Sequence, residues 1–138
     1  MLKLIIGPKG SGKTKKLINL ANNSAATSLG TVVCIEQTPN LAGHISRTIR
    51  LIETEDFNIN DQNSLAGFVK GLVANNYDTT DIFIDSTFKI IKRDYDKLPE
   101  FIQELYTLSK NYDLNIFITL SCKKSDLPEF ACPVQLVE

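Results

Sequence analysis

The segment Gly7–Thr14 reads GPKGSGKT and fits the pattern G-x-x-x-x-G-K-[ST] of a phosphate-binding loop. It follows a short apolar run, Leu2–Ile6, that suits a buried strand, and it precedes a segment with helical character, Lys15–Ala21. The motif is persuasive only in this context, because the loop must bring backbone N–H groups and a helix N-terminus to one point. The sequence therefore predicts a phosphate-binding turn between the first strand and the first helix.

Each residue type in the motif has a role in holding phosphate. Glycines allow turns that other residues rarely adopt, so that successive N–H groups point at phosphate oxygens. Lys13 is predicted to reach the β- and γ-phosphates, and the Thr14 hydroxyl to bind Mg²⁺. The alternative is a glycine-rich turn that binds nothing, but Lys-Thr after the last glycine has no purely structural reason. The predicted nucleoside triphosphate site comprises Gly7, Pro8, Lys9, Gly10, Ser11, Gly12, Lys13 and Thr14.

Composition limits the classes of protein to consider. A chain of 138 residues with 43% hydrophobic and 22% charged residues predicts one globular domain, spanning 1–138. The 15 basic residues are balanced by 16 acidic ones, so no overall positive field indicates nucleic acid or anionic lipid as a partner. No apolar run reaches membrane-spanning length and no signal-peptide pattern is seen. With three cysteines in no metal-ligand spacing, these features predict a reduced, cytoplasmic compartment.

Apolar runs rich in β-branched residues predict further buried strands, and helical patterns separate them. The strands are predicted at Thr31–Ile35, Asp81–Asp85 and Leu114–Leu120, with shorter ones within 47–54 and 134–137. Helices are predicted from Thr38-Pro39 to about Ser46, after an N-cap at Asp61, and from Pro99 to about Asn111, while 22–30 is predicted as loop and 86–97 has no assigned element. This alternation predicts an α/β fold of three layers, a mainly parallel sheet with helices on both faces.

Polar residues at the carboxyl ends of these strands form the second predicted group, because ligands bind beyond this edge of an open parallel sheet. Asp85 is predicted to hold Mg²⁺ beside Thr14, with a loop-capping carboxylate as the alternative. Glu36 is either a general base facing the γ-phosphate or an exposed carboxylate at a strand end that caps the helix after Pro39. Thr119 and Ser121 either sense the γ-phosphate or are strand-end hydroxyls with local partners.

With these segments assembled, the chain resembles the RecA-like P-loop NTPases, especially the RecA and KaiC-like ATPases. The similar segments are, in order, GPKGSGKT, VVCIEQTP, DIFIDS and LNIFITLSCKK. They span nearly the whole chain, and only the first is highly specific. The resemblance implies the RecA-like strand order, in which the strand of 114–120 lies between the Asp85 strand and the strand before the loop. It also implies ATP and Mg²⁺ as ligands, Glu36 as the catalytic glutamate, and assembly into rings or filaments. A homo-oligomer or a complex with a protein partner is therefore an expectation.

The chain departs from the family pattern at places that bear on activity. KaiC-like members often have paired glutamates where this chain has Glu36-Gln37, and the strand of 114–120 lacks the glutamine expected in RecA. Between Leu120 and Val134 there is little room for the DNA-binding loops of RecA proteins, so recombination is not expected. Gln37 could instead orient a water by hydrogen bonding.

The leading expectation is an ATP-binding protein with slow or partner-stimulated, Mg²⁺-dependent ATPase activity, in which Lys13 and Glu36 are catalytic. A nucleoside or nucleotide kinase is one alternative, with Arg93 as the only candidate for an arginine lid. A nucleotide-dependent protein-binding module that does not hydrolyse ATP is the other. Arg93 is otherwise expected to act on a neighbouring subunit's nucleotide or to be a solvated surface charge.

Overall fold

One parallel sheet of six strands forms the centre of the computed structural model, which describes all 138 residues. The strands are β1 (Leu2–Gly7), β2 (Thr31–Glu36), β3 (Arg50–Glu53), β4 (Thr79–Ile84), β5 (Asn115–Ser121) and β6 (Gln135–Val137). Every pairing between them is parallel, and their order across the sheet is β3-β2-β4-β5-β1-β6. The expected position of β5 between β4 and β1 is confirmed.

Helices cover both faces of this sheet. They are α1 (Lys13–Thr27), α2 (Gln62–Asn75), α3 (Thr87–Ile91) and α4 (Leu98–Asn111), with short 3-10 helices at Thr54–Phe57 and Lys124–Asp126. Helix α1 packs on one face, and α2, α3 and α4 pack on the other. The predicted α/β architecture with three layers is therefore confirmed. None of the helices has the length and apolar character needed to cross a bilayer.

The two faces bury cores of different size. The face under α2, α3 and α4 belongs to a cluster of 27 buried hydrophobic residues, whereas the face under α1 belongs to a cluster of nine. At the centre of the smaller cluster the rings of Phe83 and Phe117 stack with their centroids 4.4 Å apart. Since the interior strands are buried on both faces, their sequences are continuous apolar runs rather than alternating patterns.

Helix α1 is longer than the sequence suggested, and the prediction of a loop from residue 22 is wrong as far as Thr27. Leu17 and Ala21 are fully buried and Ala25 is packed against the same cluster, so the apolar stripe continues at four-residue spacing. The polar residues that suggested a loop make tertiary hydrogen bonds instead. Asn22, for example, accepts the N–H of Ser46 at 2.8 Å.

The predicted short helix from Pro39 to Ser46 is also wrong, because this segment is an irregular loop. Two of its backbone N–H groups bond to side chains of other elements, and the N–H of His44 closes a single turn by donating to the Leu41 carbonyl at 3.0 Å. The N–H of Leu41 donates to the Glu36 carboxylate, and that of Ser46 donates to Asn22. The fully buried Leu41 side chain anchors the loop on the α1 face.

Two helix starts are close to their predicted positions, and the unassigned segment contains a short helix. Asp61 caps α2 by accepting the N–H of Ser64 at 2.7 Å, and this bond lowers the pKa of the Asp61 carboxyl. Pro99 lies in the first turn of α4. Between β4 and α4, α3 is flanked by two residues with positive φ, Ser86 at 50° and Lys92 at 69°. The chain thus turns sharply on both sides of α3, directly after the strand that ends at Asp85.

Candidate functional site

The loop between β1 and α1 has the backbone shape that its glycines predict. Gly10 and Gly12 have φ of 81° and 87°, in the left-handed region that favours glycine. A Cβ at Gly7 would lie 2.5 Å from the Ser11 hydroxyl, so a side chain there would displace that of Ser11. Helix α1 begins at Lys13 with neither a capping side chain nor an acidic residue in its first turn. Its N-terminal N–H groups and positive dipole end are therefore available to an anion.

Lys13 is the most buried cation of this region. The residue is 9% exposed, and Nζ donates to the Pro8 carbonyl at 2.8 Å. Burial lowers the pKa of Lys13, and the nearby Asp85 and Cys122 partly oppose that shift. No carboxylate lies within salt-bridge distance, since the only salt bridge of the chain joins Lys70 to Glu104. A buried ammonium without an anionic partner favours the approach of an anion.

Thr14 and Asp85 meet as predicted, although they are 71 residues apart in the sequence. The Thr14 hydroxyl lies 3.1 Å from both carboxylate oxygens of Asp85, which is 3% exposed. The Thr119 hydroxyl donates to Asp85 at 2.9 Å and accepts the N–H of Ser86 at 2.6 Å. The left-handed backbone of Ser86 directs that N–H at Thr119. Of the two strand-end hydroxyls considered, Thr119 therefore contacts the Asp85 carboxylate.

The Thr14 hydroxyl and the Asp85 carboxylate fit the ligand chemistry of Mg²⁺. Both are hard oxygen donors, and the hydrogen-bond partners of Asp85 are hydroxyls rather than cations. The chain has no cluster of three or more His, Cys, Asp or Glu side chains suited to a metal ion. Mg²⁺ commonly takes one or two protein oxygens and completes its shell with water and substrate phosphate.

Glu36 ends β2 and is 3% exposed, so of its two predicted roles the exposed carboxylate is wrong. Both of its oxygens lie 3.2 Å from the N–H of Leu41, which makes it a cap for the irregular loop. Burial raises the pKa of Glu36, the N–H groups of Leu41 and Asn40 oppose this, and the charges of Glu53 and Asp85 add to it. Glu36 is thus a buried carboxylate with an affinity for protons above that of an ordinary glutamate.

A cavity of about 650 Å³ opens above the loop. Its lining includes four cationic side chains and no carboxylate: Lys9, Gly10, Gly12, Lys13, Thr14, Asn40, Ser86, Phe88, Lys89, Arg93 and Ser121. A smaller depression of about 270 Å³ shares Asn40, Ser86 and Lys89 with it, and contains Glu36 and Asp85. The cationic cavity, which we call the loop cavity, therefore borders on the two buried carboxylates.

The remaining residues of the motif shape the loop rather than line the cavity. The Pro8 carbonyl accepts hydrogen bonds from both the Lys13 ammonium and the N–H of Ser11.

Gln37 belongs to the smaller depression, and its amide donates to the Lys89 carbonyl at 2.9 Å. This bond joins the end of β2 to α3.

Sequence reasoning missed the contribution of the segment after Asp85. Phe88, Lys89 and Arg93, all from this segment, line the loop cavity. The short helix α3 carries no long periodic signal, so its position over the loop follows only from tertiary contacts. The one available signal was the presence of Arg93 in a segment that follows a predicted ligand-binding strand end.

No protein-family model matches this sequence, and a search of the curated proteins finds no match either. The interpretation of the site therefore depends on its own residues. Those residues combine a helix N-terminus, a buried lysine, a hydroxyl–carboxylate pair and a cationic cavity at one edge of a parallel sheet. Such an arrangement suits a polyanion accompanied by a divalent cation.

Proposed function

We propose that this chain is a RecA-like P-loop NTPase that binds ATP with Mg²⁺ at Gly7–Thr14 and hydrolyses it slowly or on stimulation by a partner. The observation that carries the proposal is the Thr14–Asp85 pair at 3.1 Å, beside a cavity whose charged side chains are all cationic. A triphosphate needs cationic and N–H donors, and its metal needs hard oxygens; the pair and the cavity supply both.

In this proposal the loop residues bind the triphosphate. The Lys13 ammonium would exchange the Pro8 carbonyl for phosphate oxygens, and the first-turn N–H groups of α1 would add further donors. Thr14 and Asp85 would hold Mg²⁺, which when bound neutralises phosphate charge. Thr119 keeps the Asp85 carboxylate oriented toward Thr14.

Glu36 is the proposed general base for hydrolysis. It would accept a proton from water as the water oxygen bonds to the γ-phosphorus. The bond between that phosphorus and the β–γ bridging oxygen breaks, and ADP leaves with the electron pair. The N–H of Leu41 occupies only part of the acceptor capacity of the two Glu36 oxygens, so the carboxylate can hold the loop and accept a proton from water at the same time. In this proposal a partner that moves the loop of Leu41 would also move the Glu36 carboxylate and thereby change the rate of turnover.

A small-molecule kinase is the second candidate. The observation in its favour is that the loop cavity continues past the phosphate-binding loop to Phe88, Lys89 and Arg93, where an acceptor would have room. A kinase would release little phosphate from ATP until an acceptor is added. Phosphate release from ATP alone therefore separates the two activities.

The test compares phosphate release and nucleotide binding, both with Mg²⁺, in the intact chain, Lys13→Ala and Glu36→Gln. We expect both variants to lose turnover by about a hundredfold or more, and only Lys13→Ala to lose ATP affinity. Lys15→Ala is the matched control, because Lys15 is exposed, lies on the same helix and does not line the cavity. An intact chain that binds neither ATP nor ADP would overturn the proposal.

A further inference from the structure

Arg93 is exposed, yet three contacts hold its side chain in place. Its Nη1 donates to the Ser121 carbonyl at 2.6 Å and to the Tyr95 hydroxyl at 2.8 Å. The guanidinium carbon also lies 4.7 Å from the centroid of the Phe88 ring, as a cation–π contact. An arginine on a surface usually loses rotamer freedom only when it gains such contacts. Arg93 is therefore pre-positioned at the rim of the loop cavity.

The contacts of Arg93 leave most of its donors without an acceptor. A guanidinium has five N–H groups, and the two on Nη1 are taken by Ser121 and Tyr95. Nε and Nη2 make no hydrogen bond, and no carboxylate lies within salt-bridge distance of Arg93. This free edge is the planar fork that matches carboxylate or phosphate oxygens.

The anchor of Arg93 belongs to the strand beside the phosphate-binding loop. Ser121 ends β5 and pairs in register with Gly7, the first residue of the loop. The next residue, Cys122, lies close enough to both Arg93 and Lys13 that their charges oppose the rise that burial gives its pKa. Two residues before Ser121, Thr119 contacts Asp85. Arg93 and Lys13 thus flank the same strand end, and both line the same cavity.

We infer that Arg93 binds the γ-phosphate of the triphosphate held by its own chain, and that it makes the site selective for triphosphate over diphosphate. This inference rests on the proposed function and adds a residue that the sequence assigned to a kinase lid, a neighbouring subunit or a solvated surface. The free Nε and Nη2 groups provide the contact, while Ser121, Tyr95 and Phe88 fix the guanidinium without neutralising it. The charge is therefore available when a third phosphate is present.

The experiment measures the dissociation constants of Mg²⁺–ADP and of the Mg²⁺ complex of a non-hydrolysable β,γ-imido analogue of ATP, by calorimetry on the full chain. We expect Arg93→Gln to weaken binding of the analogue by about ten- to a hundredfold, the loss of charge-assisted hydrogen bonds. Affinity for ADP should stay within about twofold. Arg93→Lys should recover only part of the loss, because it keeps the charge without the fork. Tyr95→Phe should cause a smaller loss in the same direction.

Arg47→Gln is the matched control, since Arg47 is exposed and does not line the cavity. Thermal unfolding of each variant separates a binding effect from a loss of fold, and Tyr95→Phe carries the test if Arg93→Gln does not fold. Equal weakening of ADP and the analogue, or no change in either, would overturn the role of Arg93 while leaving the proposed function standing. Absence of any nucleotide binding by the intact chain would overturn both.

Discussion

The charged side chains of the loop cavity are all cationic, whereas the smaller depression beside it contains two buried carboxylates together with the shared Lys89, and the buried charges of both regions are held in the same way. In the loop cavity the buried Lys13 donates to a neutral carbonyl, that of Pro8. In the depression Glu36 accepts a backbone N–H, and Asp85 accepts hydroxyl groups. Neither region contains a salt bridge, although opposite charges lie close enough to influence one another. Each charge is held by dipoles rather than cancelled by an ion.

Ordinary surface charges are solvated, whereas these charges are buried without ionic partners. The region therefore suits a ligand that carries both negative and positive charge. A metal–triphosphate complex offers oxygens to Lys13 and a cation to Asp85, so that binding completes two charges that the fold leaves without ionic partners. The cost of such an arrangement is stability in the absence of the ligand.

The largest effect is expected from a substitution that removes the charge of Lys13 but keeps the volume of its side chain. Lys13→Met should weaken triphosphate binding by about a hundredfold or more, because it loses a charge-assisted contact in a shielded site. Without nucleotide the same variant should be more stable by about 1 kcal/mol, since a buried unpaired charge is gone and the Pro8 carbonyl keeps the N–H of Ser11. Calorimetric titration and urea unfolding measure the two effects.

Lys15→Met serves as the control for Lys13→Met, because it makes the same change at an exposed position of the same helix. It should leave both affinity and unfolding free energy almost unchanged. If Lys13→Met were less stable than the intact chain without nucleotide, the inference that the Lys13 charge lowers the unfolding free energy would be wrong.

An intermediate effect is expected from the carboxylate that faces Thr14. Asp85→Asn keeps an oxygen to accept the hydroxyls of Thr14 and Thr119 but loses the charge that attracts a divalent cation. The intact chain should bind ATP at least about tenfold more tightly with Mg²⁺ than with a chelator. In Asp85→Asn that ratio should fall to within about twofold of unity. Asp56→Asn, at an exposed position outside the site, is the control and should preserve the ratio of the intact chain. If Asp85→Asn also preserved that ratio, Thr14 and Asp85 would not be the ligands of Mg²⁺.

The sequence predicts those parts of the site that depend on neighbouring residues or on the general rules of parallel sheets. It does not predict the parts that depend on single contacts between distant residues. The loop Gly7–Thr14 is encoded by adjacent residues, and the meeting of Thr14 with Asp85 follows because parallel strands end at the same edge of a sheet. The segment 39–46 is a loop and not the predicted helix, because two of its N–H groups, those of Leu41 and Ser46, bond to Glu36 and to Asn22, the latter more than 20 residues away.

The position of Arg93 could not be predicted from the sequence either. It is fixed by the carbonyl of Ser121, 28 residues further along the chain, and by the sharp turn at Lys92 with its φ of 69°. Neither feature leaves a periodic or local signal in the residues of 86–97. Patterns of apolar residues predict which segments pack, but the partner of a single polar group depends on the completed sheet.

The smallest effect is expected from pH, and it concerns the carboxylate of the depression. Burial raises the pKa of Glu36 above its ordinary value of 4.5, so the folded chain holds this proton more tightly than the unfolded chain does. The contribution of Glu36 to the unfolding free energy therefore falls as pH rises from the ordinary to the raised value, and is constant above it. Glu36→Gln is uncharged throughout and can still accept the N–H of Leu41 through its amide oxygen. Urea unfolding of both proteins from pH 4 to pH 8 should thus give a variant that gains stability relative to the intact chain as pH rises, and then a constant difference. If the stability of the variant relative to the intact chain declined with rising pH, the hydrogen bonds from Leu41 and Asn40 would lower the pKa of Glu36 by more than burial raises it. The fold would then stabilise Glu36 as an anion, which makes it a weaker base.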